Sequence, residues 1–279
     1  INGGEIAALE THRDRPGAIL VDMGDLTALP GLVDAAAALP ADAGPALGPL
    51  LLSFGVTTIV ANHPQSESLN AIWSGKDMPG PRVLGKDWQL DLESAPTLLL
   101  GVSALPASPR GIRYRDLTSG AGAAPATMFS GLADAGTQGL GALLESRQVT
   151  LLEPYPRARR RFSEQQPLAA VADSLVLGSK LNGMPPGIAT QAELLALAAA
   201  GLSGEQALRT AGSNAAAALG LERHIGRIAP GYAADIVLVD GDPLGGVAAA
   251  QKVVAVVRNG RFYSVIGLLE RAERALDVE

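Results

Sequence analysis

Cysteine is absent from this 279-residue chain, and histidine occurs only at His12, His63 and His224. The first absence excludes disulfides and thiolate chemistry but does not fix the compartment, because exported proteins can also lack cysteine. The second limits any site that needs several imidazoles. Aromatic residues make up 4% of the chain, and no basic stripe interleaves with them. The net charge is −6 with acidic and basic residues mixed, so nothing builds a field that would draw in nucleic acid. Arg157, Arg159, Arg160 and Arg161 form the one basic cluster. It reads as a solvated loop, with an anion or partner site as the sharper alternative. No run reaches the roughly 18 apolar residues of a membrane span, and no signal peptide is visible. The expectation is a soluble protein, with cytoplasm and periplasm both open. The chain opens on Ile1 inside a strand-turn-strand pattern, Asn2-Gly3-Gly4 followed by Glu5 to Leu9, as if sequence upstream had been removed or not included.

The hydrophobic content is 47%, enough for one large domain or one domain with a small satellite. Residues 1–29 read as short strands, with Ile6 to Leu9 and Ala18 to Val21 as apolar runs bounded by Gly, Pro and Asp. Further strands are expected at Leu32–Asp34, Val56–Ala61, Arg82–Leu84, Thr97–Val102, Val149–Leu152 and Ser174–Leu177. Residues 42–54 read as helix, 106–125 as loop, and 129–147 as partly helical. Gln191 to Ala200 is a helix ended by Gly201, and Ser203 with Gln206 opens the next through a capping box. Ser213 is expected to cap a third. Strands return at 234–239, 253–257 and 261–263, the last two joined by an Asn259-Gly260 turn. A helix over about 264–277 carries Ile266, Leu269 and Leu276 on one side. Alternation of strands and helices in the middle argues for a parallel sheet or barrel.

Certain of these segments resemble a known family. Leu29-Pro30-Gly31-Leu32-Val33-Asp34 is similar to the entry into the first barrel strand of the amidohydrolase superfamily, in its imidazolonepropionase-like and prolidase-like members. Gly55 to Val60 resembles their second strand, and Gly80-Pro81-Arg82-Val83-Leu84 the approach to the third. Gly183 to Gly187, then Glu193-Leu194 and Ala200 to Ser203, resemble the stretch after the last barrel strand. The run Gly226 to Leu244 resembles the family's return into its β-sandwich. The match covers both ends well and the middle poorly. It implies an α/β fold: a TIM-like (β/α) barrel over 30–224, a small composite β-sandwich from residues 1–29 plus 225–263, and a C-terminal helix over 264–279. From Pro30 to Glu222 the barrel spans slightly less than the roughly 200 to 400 residues usual for eight strand-helix pairs, so it is expected to be shortened or distorted.

Family members hold one or two divalent metals at the barrel mouth, where the ion lowers the pKa of a bound water and polarises a carbonyl. The resemblance places two ligand histidines in an Asp-x-His-x-His motif, where this chain has Asp34-Ala35-Ala36-Ala37-Ala38. It places an aspartate after Gly-Ser or Gly-Thr on the last strand, where Gly178-Ser179 is followed by Lys180. Leu152 falls near a third expected histidine. Ala36, Ala38 and Lys180 are therefore lost ligand positions, and the expectation is a chain with no metal and no cofactor. Of the three histidines only His63 lies near a plausible mouth.

The leftover polar residues have plain and sharp readings. Lys180 is a salt-bridge partner or an activated amine. Asn62 and His63 are a turn or a ligand contact. Glu153 and Tyr155 could line the mouth, and Lys180, His63 and Glu153 are the weak catalytic candidates. Ser179 beside Lys180 resembles a Ser-Lys pair, but neighbours on a strand point to opposite faces. Asp235, Asp240 and Asp242 read as turn residues. The first expectation is thus a pseudoenzyme: a non-catalytic subunit that forms a homo-oligomer, or a hetero-oligomer with an active amidohydrolase relative. The alternatives are a metal-independent hydrolase acting on C–N bonds and a small-molecule binding module.

Overall fold

The run Leu32–Asp34 is buried at all three positions and Val56–Val60 at all five, the signature of strands covered on both faces. They are β2 and β3 of a computed structural model that describes residues 1–11, 16–37, 39–61, 63–85, 97–101, 127–131, 169, 172–173, 175–179, 187–199 and 201–276. β2 pairs in parallel with β3, and β3 with β4 (Arg82–Leu84). A second parallel sheet has the order β5 (Thr97–Gly101), β6 (Thr127–Gly131), β7 (Leu175–Leu177). The two sheets meet where the Ala35 N–H donates to the Leu177 carbonyl at 3.0 Å. The described strands therefore run β4-β3-β2-β7-β6-β5, with the last strand beside the first. Among the described residues that neighbourhood is a partial barrel-like arrangement.

Five strand positions match the sequence expectation within the described residues. β6 does not: residues 129–131, expected as helix, belong to a strand. Thr127-Met128-Phe129 is a β-branched and aromatic run between Pro125 and Gly131, and such a run fits a buried strand better than a helix start. The loop at 106–125, the rest of the expected helix at 132–147 and the strand at Val149–Leu152 lie outside the described residues.

Helices cover the sheet. α1 (Leu47–Ser53) is buried throughout. α2 (Ser66–Trp73), not anticipated from the sequence, seats Trp73 with its indole N–H donating to the Pro45 carbonyl at 3.1 Å. After β7 come α3 (Ile188–Ala199), α4 (Gly204–Thr210) and α5 (Ser213–Ala218). The capping box of α4 forms as expected, with Ser203 and Gln206 each bonding the other's backbone. Ser213 does not cap α5: the residue before the helix is Gly212, and no side chain bonds that end. Leu47, Leu50, Ile59 and Val83 form one core with Trp73. Val33, Val60, Leu84 and Val176 form another with Ala215, Ala216 and Leu219 of the α5 region. Ile59 and Val60, like Val83 and Leu84, thus face opposite sides, the alternation of a strand.

The two ends of the chain meet in an antiparallel sheet of order β1 (Thr27–Pro30), β8 (Ile236–Val239), β9 (Val253–Arg258), β10 (Arg261–Ser264). Asn259 and Gly260 turn β9 into β10 with φ of 51° and 76°, the paired positive angles of a tight hairpin. The strands expected at Ile6–Leu9 and Ala18–Val21 are not formed. Only isolated bridges tie Asn2 to Glu5 and Glu5 to Ala233. Ile19 is 91% exposed and Leu20 69%, so an apolar run alone, with no face to bury, made no strand. The terminal helix α6 (Val265–Leu276) buries Leu268 and Ala272, whereas Ile266 is exposed. Its covered face is therefore rotated from the one the sequence suggested.

β1 runs into β2 through Gly31, where a Cβ would collide with the Thr57 side chain; that close approach requires glycine in the Pro-Gly-Leu-Val-Asp run. The Gly31 N–H donates to the Asp235 carbonyl at 2.8 Å. Asp235, read from sequence as a turn residue, is buried and joins the two sheets. Its carboxylate accepts from Arg82 at 3.3 Å, from Arg258 at 3.2 Å and from the Asn259 N–H at 2.7 Å. Asp235→Ala would strand the Arg258 guanidinium, whose side chain is 12% exposed. Breaking such a pair from one side costs about 3 kcal/mol or more. Urea denaturation should show that loss, while Asp240→Ala, at an exposed position, should change stability by less than about 0.5 kcal/mol.

Candidate functional site

Catalytic groups of parallel barrels sit at the C-terminal ends of the strands. At that end of β2 stands Asp34, fully buried. Its Oδ1 accepts the Ser179 N–H at 3.1 Å and the Ala36 N–H at 3.2 Å. Its Oδ2 accepts the Ser179 hydroxyl at 2.5 Å and the Thr190 hydroxyl at 2.9 Å. One carboxylate thus holds the end of the first barrel strand, the residue two past the end of β7, and the first turn of α3. Burial pushes its pKa above the ordinary 3.8, against the opposing pull of the Ser179, Thr190 and Ala36 hydrogen bonds.

Four donors occupy the roughly four acceptor positions of a carboxylate. Asp34 therefore has no lone pair left for an ion or a substrate in this arrangement. The Ser179 hydroxyl is committed to Asp34 and the residue is 2% exposed, which removes it as a nucleophile open to substrate. Ala36 is half-buried and packs its methyl against the Val33 and Val60 core.

His63 follows the C-terminal end of β3, the same end of the barrel. Its Nδ1 accepts the Gln65 N–H at 3.2 Å, and its backbone bonds Ser66 at the start of α2. In the neutral ring the proton therefore sits on Nε2. This geometry fastens the β3–α2 turn. The other sequence candidates, Lys180, Glu153, Tyr155, Asn62, Ala38 and Leu152, lie outside the described residues, as does the Arg157–Arg161 cluster. Among the described residues no group of three or more His, Cys, Asp or Glu stands close enough to hold a metal ion. Thr190 was not anticipated. The available signal was the polar set Thr190, Gln191 and Glu193 in a mostly apolar helix, since buried polar groups demand partners.

The amidohydrolase family model matches residues 164–266. No curated protein matches the sequence. Solved structures match over nearly the whole chain. A prolidase complexed with N-methylphosphonate-L-proline has a TM-score of 0.56 at 17% identity, covering 95% of this chain and 93% of that one. Phenylurea hydrolase B has a TM-score of 0.58 at 13% identity, with 95% and 92% covered. An enamidase described as a new member of the amidohydrolase superfamily has a TM-score of 0.54 at 18% identity, with 96% and 89% covered. At these identities the likeness speaks for the fold, a TIM-barrel-like α/β arrangement.

The Asp34 linkage has a pH signature. Because its folded pKa is raised, the stability it contributes is fully present below the unfolded value near 3.8 and is lost as pH rises through the folded value. Asp34→Asn keeps the shape and cannot titrate. Urea denaturation of both proteins across acid and neutral pH should show the wild type losing ground to Asp34→Asn as pH rises. A stability difference that is flat with pH, or that moves the other way, contradicts the assignment.

Proposed function

We propose that the chain is a member of the amidohydrolase superfamily, whose family model matches residues 164–266, and that it works without the superfamily's metal chemistry, as a non-catalytic subunit that pairs with an active relative or with itself. The observation that carries this reading is Asp34-Ala35-Ala36-Ala37-Ala38 at the end of the first barrel strand. Methyl groups stand where the family places two imidazoles, and a methyl group has no electron pair for a metal. The state of Asp34 supports it: both oxygens are taken up by Ser179, Thr190 and Ala36. His63, the one histidine near the mouth, has its Nδ1 tied to the α2 turn. Among the described residues no cluster of donors fits a divalent ion.

In this reading the barrel over 30–224 is shortened and serves as a frame. Residues 1–29 plus 225–263 make the composite sandwich, and 264–279 the terminal helix. Phe262 on the edge strand β10 and Ile266 at the head of α6 are exposed; they are apolar surface that a partner subunit would cover.

The purified protein should contain no stoichiometric zinc, manganese, iron or nickel by elemental analysis, and chelator should leave its Tm unchanged. A metal present at a hundred times its Kd would stabilise the fold by about 2.7 kcal/mol, so a true site would be evident as a large fall in Tm. One tightly held transition metal per chain overturns the metal-free reading. The subunit role is tested separately by mass in solution, alone and mixed with an active relative: a monomer that ignores the relative contradicts it.

A further inference from the structure

A cleft of about 510 Å³ opens where the N-terminal bridge, the start of β4 and the 221–233 segment meet. That volume suits a small organic ligand. Arg82, Glu5 and His224 line it together with apolar Leu84, Leu221 and Ile225. Arg82 begins β4, so its part of the cleft lies toward the N-terminal end of the barrel strands, away from Asp34 at the C-terminal end of β2. It is distinct from the mouth where the superfamily's chemistry is sited.

Two guanidiniums, Arg82 and Arg258, share the single carboxylate of Asp235. Arg82 spends Nη1 on Thr58 and Asp235; no described residue takes its Nε or Nη2, and the side chain is 27% exposed. Burial lowers the Arg258 pKa, Asp235 raises it, and the charge of Arg82 lowers it further. The free edge of the Arg82 guanidinium thus faces a partly apolar pocket that also carries the exposed Glu5, and a carboxylate presented to that edge gains two charge-assisted hydrogen bonds.

We propose that this cleft binds a small organic monoanion, a carboxylate on an aliphatic body, with its head on Arg82 and its body on Leu84, Leu221 and Ile225. The single guanidinium fork on the wall and the exposed Glu5 on the lip favour one negative charge over two.

Isothermal titration at low salt with the full chain tests it, using three probes: isocaproate, isohexanol with the same carbon skeleton, and inorganic phosphate. Isocaproate should bind, more weakly as salt is raised, while isohexanol and phosphate should bind at least tenfold more weakly. Arg82→Lys keeps the charge and the Asp235 pair but loses the fork, and should weaken isocaproate about tenfold. His224→Trp crowds the lip from an exposed position without touching the ion pairs, and should abolish binding while leaving Tm near the wild-type value. Equal binding of isohexanol, tighter binding of phosphate, no binding of isocaproate, or full binding in both variants would overturn the proposal.

Discussion

A parallel barrel needs its first and last strands held side by side, and in this chain one buried carboxylate does much of that holding. Asp34 sits at the end of β2 and accepts from both the backbone and the hydroxyl of Ser179, just past β7, and from Thr190 on α3. The Ala35–Leu177 backbone bond continues the seam. A carboxylate is costly to bury unless its acceptor positions are filled. The four donors meet that condition.

The second joint lies at the other side of the molecule. Asp235 precedes β8 and ties it to β4 through Arg82 and to the β9–β10 turn through Arg258 and Asn259. The Gly31 N–H, entering β2, donates to the same residue's carbonyl. The motif Pro-Gly-Leu-Val-Asp near the start and the Ala234-Asp235-Ile236 run near the end are therefore two halves of one contact. The contact sets two guanidiniums on one carboxylate beside the neighbouring cleft.

Elements governed by local rules were legible in the sequence. The β-branched run at Val56–Val60, the Ser203–Gln206 capping box and the Asn259-Gly260 hairpin each depend on residues a few positions apart, and each formed where expected. Features set by distant partners were not. Ala18–Val21 has the composition of a strand, but nothing covers it. The face of α6 was misjudged because its position against α1 is decided by packing rather than by period. Asp34 finds Ser179 and Thr190 at separations of 145 and 156 residues, and Asp235 finds Arg82 at 153. No local pattern announces such pairs. That alanines stand at 36 and 38 and that the chain has three histidines is read directly from the sequence.

The sharpest test is crystallographic. Crystals grown with excess zinc, measured above and below the zinc absorption edge, give an anomalous difference map in which any bound ion stands out. The expected map has no peak within bonding distance of Asp34, with its carboxylate still accepting from Ser179 and Thr190. A strong peak beside Asp34, with its oxygens turned from those hydroxyls toward the ion, would contradict the account.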